Sequence, residues 1–213
     1  GLYNSFVGYE AGFENNVGSN NVFLGYSTGY SNTTGQNNVY IGNQSGYSST
    51  TGTHNVFLGY QSGYNSISSY NTFLGYQTGY NTTGSYNSFI GYQSGYANIS
   101  GHHNTYNGHQ AGLSSTDASY NTAIGYQAGA FNVTGQNNVF IGMQSGRGVY
   151  PANASGSYNV LIGNRIGYNM TTASNNVILG YYAGYSLTTG TDNIYLGRES
   201  GYNNTTGNYN VFL

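Results

Sequence analysis

Four histidines, five carboxylates and three arginines are the residues of this 213-residue chain that could carry acid–base, metal or ionic chemistry. Their spacing assembles none of it. His54, His102, His103 and His109 fall at different phases of the sequence pattern, and His103 with His109 lacks a third ligand at metal-site spacing. Asp117 and Asp192 stand alone, Glu10, Glu14 and Glu199 do not pair, and no rank of aspartates recurs as a calcium-binding roll requires. Glycines recur throughout, but no helix-length segment follows them, so none reads as a phosphate loop. We read the chain as a non-enzyme with no catalytic residues, no metal site and no cofactor.

Arg147, Arg165 and Arg198 are the only fixed cations, lysine is absent, and charged residues make up 4 % of the sequence. Nothing there can neutralise a phosphate backbone, which argues against nucleic acid as a partner. Low charge alone would suggest disorder, but 26 tyrosines and 9 phenylalanines point to an ordered chain. With no cysteine, order must come from backbone ladders and stacking. No run approaches the roughly 18 apolar residues of a membrane-spanning helix. For a secreted protein, the signal is expected upstream of Gly1.

What must position these side chains is a repeat. Asn4, Asn21, Asn38, Asn55, Asn71, Asn87, Asn104, Asn121, Asn138, Asn159, Asn176, Asn193 and Asn210 recur every 16 or 17 residues, with one interval of 21. Each opens a version of one phrase, such as Asn55-Val56-Phe57-Leu58-Gly59-Tyr60-Gln61-Ser62-Gly63-Tyr64. So short a period predicts an all-β parallel solenoid, a β-roll of about twelve coils that must stack to be stable. We expect residues 1–213 to form a single solenoid with two short strands per coil, the second at Tyr60–Tyr64 in the phrase above. Gly1–Tyr3 and Asn210–Leu213 read as partial repeats, so the chain is expected to be an excerpt of a longer fibre or a subunit that polymerises end to end.

Counting each ladder Asn as offset zero, offset three is aliphatic in every repeat except at Asn107, and offset two is aromatic except at Ala123, Leu161 and Ile178. Neighbouring strand residues point to opposite faces, so one file faces the coil interior and the other faces outward. The residues alone leave open which is which. A continuous exposed aromatic stripe would exceed what a monomer shows, so Phe6, Phe23, Phe57, Phe73, Phe89, Phe140 and Phe212 are candidates for an assembly surface between copies of the chain. The stacked asparagines are expected to form a structural amide ladder along the rod.

Gly recurs at offsets four and eight, the first suited to positive φ at a corner and the second to close approach of a neighbouring layer. Tyrosines at offsets five and nine either stack on one another or offer a platform for sugars. Sequons for N-glycosylation occur at Asn32, Asn43, Asn81, Asn98, Asn132, Asn153, Asn169, Asn203 and Asn204, most of them in the closing loop where a glycan would be tolerated. Paired threonines such as Thr33/Thr34 and Thr50/Thr51 raise the remote alternative of an ice-binding face.

The phrases Asn121-Thr122-Ala123-Ile124-Gly125-Tyr126-Gln127-Ala128-Gly129 and Asn138-Val139-Phe140-Ile141-Gly142 resemble the head repeats of trimeric autotransporter adhesins, and similar repeats occur in phage tail fibres. That resemblance implies trimers of narrow parallel β-rolls at a bacterial surface. Together these readings predict a structural segment of an extracellular or cell-surface fibre with an adhesive role. Its partners would be further copies of itself, laterally or head to tail, with surface glycans bound in the alternative reading.

Overall fold

The computed structural model describes residues 1–150 and 154–213. Thirteen strands are present: β1 Ser5–Val7, β2 Val22–Leu24, β3 Val39–Ile41, β4 Val56–Leu58, β5 Thr72–Leu74, β6 Ser88–Ile90, β7 Thr105–Asn107, β8 Thr122–Ile124, β9 Val139–Ile141, β10 Val160–Asn164, β11 Val177–Tyr181, β12 Ile194–Leu196 and β13 Val211–Phe212. They form one parallel sheet in strict sequence order, with no helix among the described residues. Register is set by the repeat, so Phe57 lies opposite Phe73 and Leu58 opposite Leu74. The fold is therefore an all-β parallel solenoid of about twelve coils.

The expected second strand is absent. Tyr60–Tyr64 is a run of turns, because Gln61 has φ 50° and Gly63 has φ 60°. Left-handed residues bend the chain sharply, and a coil of 16 or 17 residues with one three-residue strand needs that curvature to close. The turn segment still bonds along the rod. Gln61 N–H donates to the Asn43 carbonyl at 2.9 Å, and Gly63 N–H donates to the Thr78 carbonyl at 2.9 Å.

The aromatic file faces inward, which corrects the assembly surface expected from sequence. Phe23, Phe57, Phe73 and Phe89 are fully buried, Phe140 nearly so, and Phe6 and Phe212 are partly buried on the terminal strands. From Phe6 through Tyr106 the rings stack at centroid separations of 4.7–5.0 Å with interplanar angles of 10° or less. Each coil is so narrow that one ring per layer fills it, and each buried ring contributes about 1.5–3 kcal/mol. The aliphatic file is the outer one: Leu24 and Leu58 are each 44 % exposed and Ile90 is 37 % exposed.

The glycines follow from this interior. Gly63 sits directly against the ring of its own coil, where a Cβ would lie 2.6 Å from the Phe57 ring atoms. The second glycine thus admits an aromatic ring, not a neighbouring layer of backbone. It is Gly59, with φ 136°, whose missing side chain lets the Gly75 carbonyl of the next coil approach.

Where the ring column stops, other positions compensate in volume. Ala123 leaves a gap that Phe140 fills, wedged between Gly129 and Gly146. In the next two coils Leu161 and Ile178 replace rings, and Met170 and Leu187 are buried where earlier coils bury Ser, Thr or Asn. Close packing to near-crystalline density requires such trades.

Candidate functional site

The ladder asparagines are clasps with three roles. Asn38 donates from Nδ2 to the Gly52 carbonyl at 2.8 Å, closing its own coil, and also donates to Asn21 Oδ1 at 3.1 Å. Its Oδ1 accepts the backbone N–H of Asn55, one coil on, at 2.9 Å. The bond from backbone N–H to the preceding Oδ1 recurs at every step from Asn4 to Asn210, and from Asn21 to Asn193 the side chains are almost wholly buried. They are inaccessible to ligand.

A second amide column runs along the outside of the turn, and the sequence reading did not anticipate it. Gln44, Gln61, Gln77, Gln93, Gln110, Gln127 and Gln144 occupy offset six, and from Gln61 onward each donates Nε2 to the preceding Oε1, at 2.9–3.4 Å. Arg165 ends this column, donating Nε to Gln144 Oε1 at 2.9 Å. Recurrence of Gln six residues after the ladder Asn was the available signal. Each of these glutamines holds a left-handed φ, 47–55° across the column, as do the other residues at this offset.

Three aromatic columns decorate the turn side. At offset nine, Phe13, Tyr30, Tyr47, Tyr64, Tyr80 and Tyr96 stack at 5.0–5.2 Å. At offset five, Tyr60, Tyr76, Tyr92, His109 and Tyr126 stack at 4.9–5.3 Å. Immediately before the ladder Asn, His54, Tyr70, Tyr86, His103 and Tyr120 stack at 4.8–5.1 Å. His54, His103 and His109 thus stand as rungs where other coils carry tyrosine. Among the described residues no three metal-binding side chains converge.

Three tyrosines, Tyr40, Tyr106 and Tyr195, lie inside the rod. Burial pushes the Tyr40 and Tyr106 hydroxyls up to about 12. Tyr40 shares a hydrogen bond of 2.9 Å with Ser49 Oγ. Among the described residues the Tyr106 hydroxyl has no partner in hydrogen-bonding geometry, although the Ser115 and Asn121 side chains nearby soften the effect of burial.

The sequons divide by burial. Asn32, Asn98 and Asn132 face the interior and cannot carry a glycan in the folded coil, which corrects those three. Asn43 and Asn203 are exposed, Asn81, Asn169 and Asn204 are partly exposed, and Asn153 lies outside the described residues. Several threonine pairs do not offer two free hydroxyls. Thr33, Thr171 and Thr188 donate theirs to the backbone of the next coil at 2.9–3.1 Å.

No strand contains a charged residue. Arg147 lies over the Phe131 and Tyr168 rings at 4.7 and 5.1 Å, and Arg198 pairs with Glu199 at 3.2 Å. Near that pair a groove of about 340 Å³ is lined by Tyr181, Tyr182, Arg198, Glu199 and Tyr202. The outer sheet face carries no charged residue at offsets one or three in any coil. No helix of the described residues is long and apolar enough to cross a membrane. No protein-family model, curated protein or solved structure matches the chain.

Proposed function

We propose that this solenoid is a structural segment of an extracellular or cell-surface fibre with an adhesive role, and that copies of it associate side by side through the outer face of the sheet. The observation that carries the proposal is the aliphatic file on that face. Val22, Leu24, Val56, Leu58, Ile90, Ile124, Ile162 and Leu196 all stand exposed in register. A face of twelve steps of ~4.8 Å, by about 10 Å wide, would bury roughly 1,200 Å² across two copies, the lower end for a stable specific interface. Interface area grows with every added coil, so a longer rod associates more tightly. The scarcity of lysine and arginine also leaves trypsin-like proteases few sites, as an external fibre requires. Where a host adds N-glycans, Asn43 and Asn203 are the exposed acceptors.

Light scattering over a concentration series, with imaging of the particles, tests the proposal. The chain is expected to form pairs or bundles with parallel long axes, and a Leu24→Lys, Leu58→Lys, Ile90→Lys variant is expected to stay monomeric with its fold intact. A wild-type chain that remains monomeric at high concentration, or a variant that assembles equally well, rejects this interface.

A further inference from the structure

Two neighbouring positions depart from the repeat in one coil in the body of the rod. Two residues before the ladder Asn, other coils carry Ser, Thr, Gln, Asn or Leu, and His102 is the one histidine at that offset. One residue later, His103 takes a place held by tyrosine in the coils on either side, at Tyr86 and Tyr120. His103 is fixed as a rung: its ring stacks between those of Tyr86 and Tyr120 at 4.8 and 5.1 Å, and its backbone N–H donates to the Ser85 carbonyl at 3.2 Å. His102 is held edge-on, at 83° to the His103 ring and 88° to the Tyr120 ring, with its backbone N–H on Ser119 Oγ at 3.1 Å. The two Nδ1 atoms stand 2.9 Å apart, at the surface.

A contact of that length holds one proton, so one ring donates and the other accepts. A metal ion can replace that proton, because both lone pairs then meet on one centre. The separation selects the geometry. With metal–nitrogen bonds of about 2.0–2.1 Å, a right-angled pair of ligands spans about 2.9 Å and a tetrahedral pair about 3.3–3.4 Å. Right-angled coordination by imidazole suits tetragonal copper(II), which also heads the order of divalent affinities. We propose that His102 and His103 chelate one copper(II) ion through their Nδ1 atoms, with water completing the plane on the exposed side. The proton of the donating ring moves to its Nε2, and the ion keeps its oxidation state. Among the described residues no third His, Cys, Asp or Glu converges there, so the protein supplies two ligands and the others exchange freely. Tyr86 and Tyr120 are positioning residues, since their stack fixes the His103 plane before the metal arrives. His54 and His109 stand in similar tyrosine stacks without a second imidazole beside them. The site is separate from the outer sheet face and does not depend on assembly.

The test uses the full chain with copper(II) chloride, beside a His54→Tyr, His109→Tyr form in which His102 and His103 are the only histidines. Calorimetry is expected to find one strong site per chain in both, and electron spin-echo modulation to count two coordinated imidazoles. His102→Ser and His103→Tyr each restore the residue that neighbouring coils carry, so both are expected to melt as the parent does. Each is expected to bind copper at least about tenfold more weakly, since losing a direct ligand costs no less than losing an outer-shell partner. Paramagnetic broadening in the parent needs no variant, and the Tyr86 and Tyr120 ring signals are expected to vanish first. A single coordinated imidazole, full-strength binding in either variant, or broadening centred on His54, His109 or the Gly1 amine overturns the proposal.

Discussion

The Oδ1 atom of Asn38 accepts the backbone N–H of Asn55 at 2.9 Å, so a side chain in one coil holds the main chain of the next. Because Asn38 also closes its own coil through the Gly52 carbonyl, one residue stabilises both the loop and the stack. Asn38→Ala should cost about 2–4 kcal/mol through the unmet buried groups it leaves. Asn38→Asp should cost more, since a buried carboxylate would face the Gly52 carbonyl and Asn21 Oδ1. Hydrogen exchange in the coils on either side, compared between the two variants, checks the order.

Alkaline pH should loosen the rod from within. The folded hydroxyls of Tyr40 and Tyr106 lie at about 12, against about 10 in an unfolded chain. The folded state thus holds protons that the unfolded state releases. The stability from this source is fully present below about pH 10 and is lost as pH rises toward 12, by up to about 3 kcal/mol per site. Circular dichroism across pH 9–12 should show a transition that moves upward in Tyr40→Phe, Tyr106→Phe.

At neutral pH the two substitutions should differ. Tyr106→Phe removes a hydroxyl with no hydrogen-bond partner and should be neutral or stabilising, whereas Tyr40→Phe breaks the bond to Ser49 and should cost about 0.5–1.5 kcal/mol. Urea unfolding of the single variants separates them.

Gly63→Ala should destabilise by about 2–4 kcal/mol, combining left-handed backbone strain with a methyl forced onto the Phe57 ring. Ser62→Ala, one residue earlier, removes only the hydroxyl that donates to the Phe73 carbonyl at 3.0 Å, and should cost less. Thermal melts of the pair compare backbone shape with side-chain bonding.

Ala123→Phe restores the aromatic type found at offset two in most coils, yet it should destabilise the chain by about 1–3 kcal/mol. The space beside Ala123 already holds the Phe140 ring. A compensating Phe140→Ala should recover part of the loss, read as non-additivity in a double-mutant cycle.

The period, the parallel stacking and the opposed directions of offsets two and three were legible because identical residues recur in phase. Which of these two files lies inside was not, since Phe57 and Leu58 are both apolar and hydrophobicity alone does not order them. The discriminating signal was Gly63, whose missing side chain makes room for the ring of Phe57. Tyr60–Tyr64 read as a strand because its alternation of large and small residues mimics a pleat, while the left-handed backbone at Gln61 leaves no mark in residue type. The pairing of His102 with His103 was legible only as a departure from the repeat, and the distance between their rings depends on the left-handed backbone at His103.

The coils of 16 residues ending at Asn71 and Asn87 and the coil of 21 ending at Asn159 pair their strands in the same register as those of 17, as Val56 opposite Thr72 and Val139 opposite Val160 demonstrate. The register of the strands does not change with the number of residues between them. Length in this molecule is therefore quantised: it counts units, not amino acids. A genetic duplication or loss of one unit would shift the far end by a single step of ~4.8 Å while presenting both flanking layers with the surface they had before.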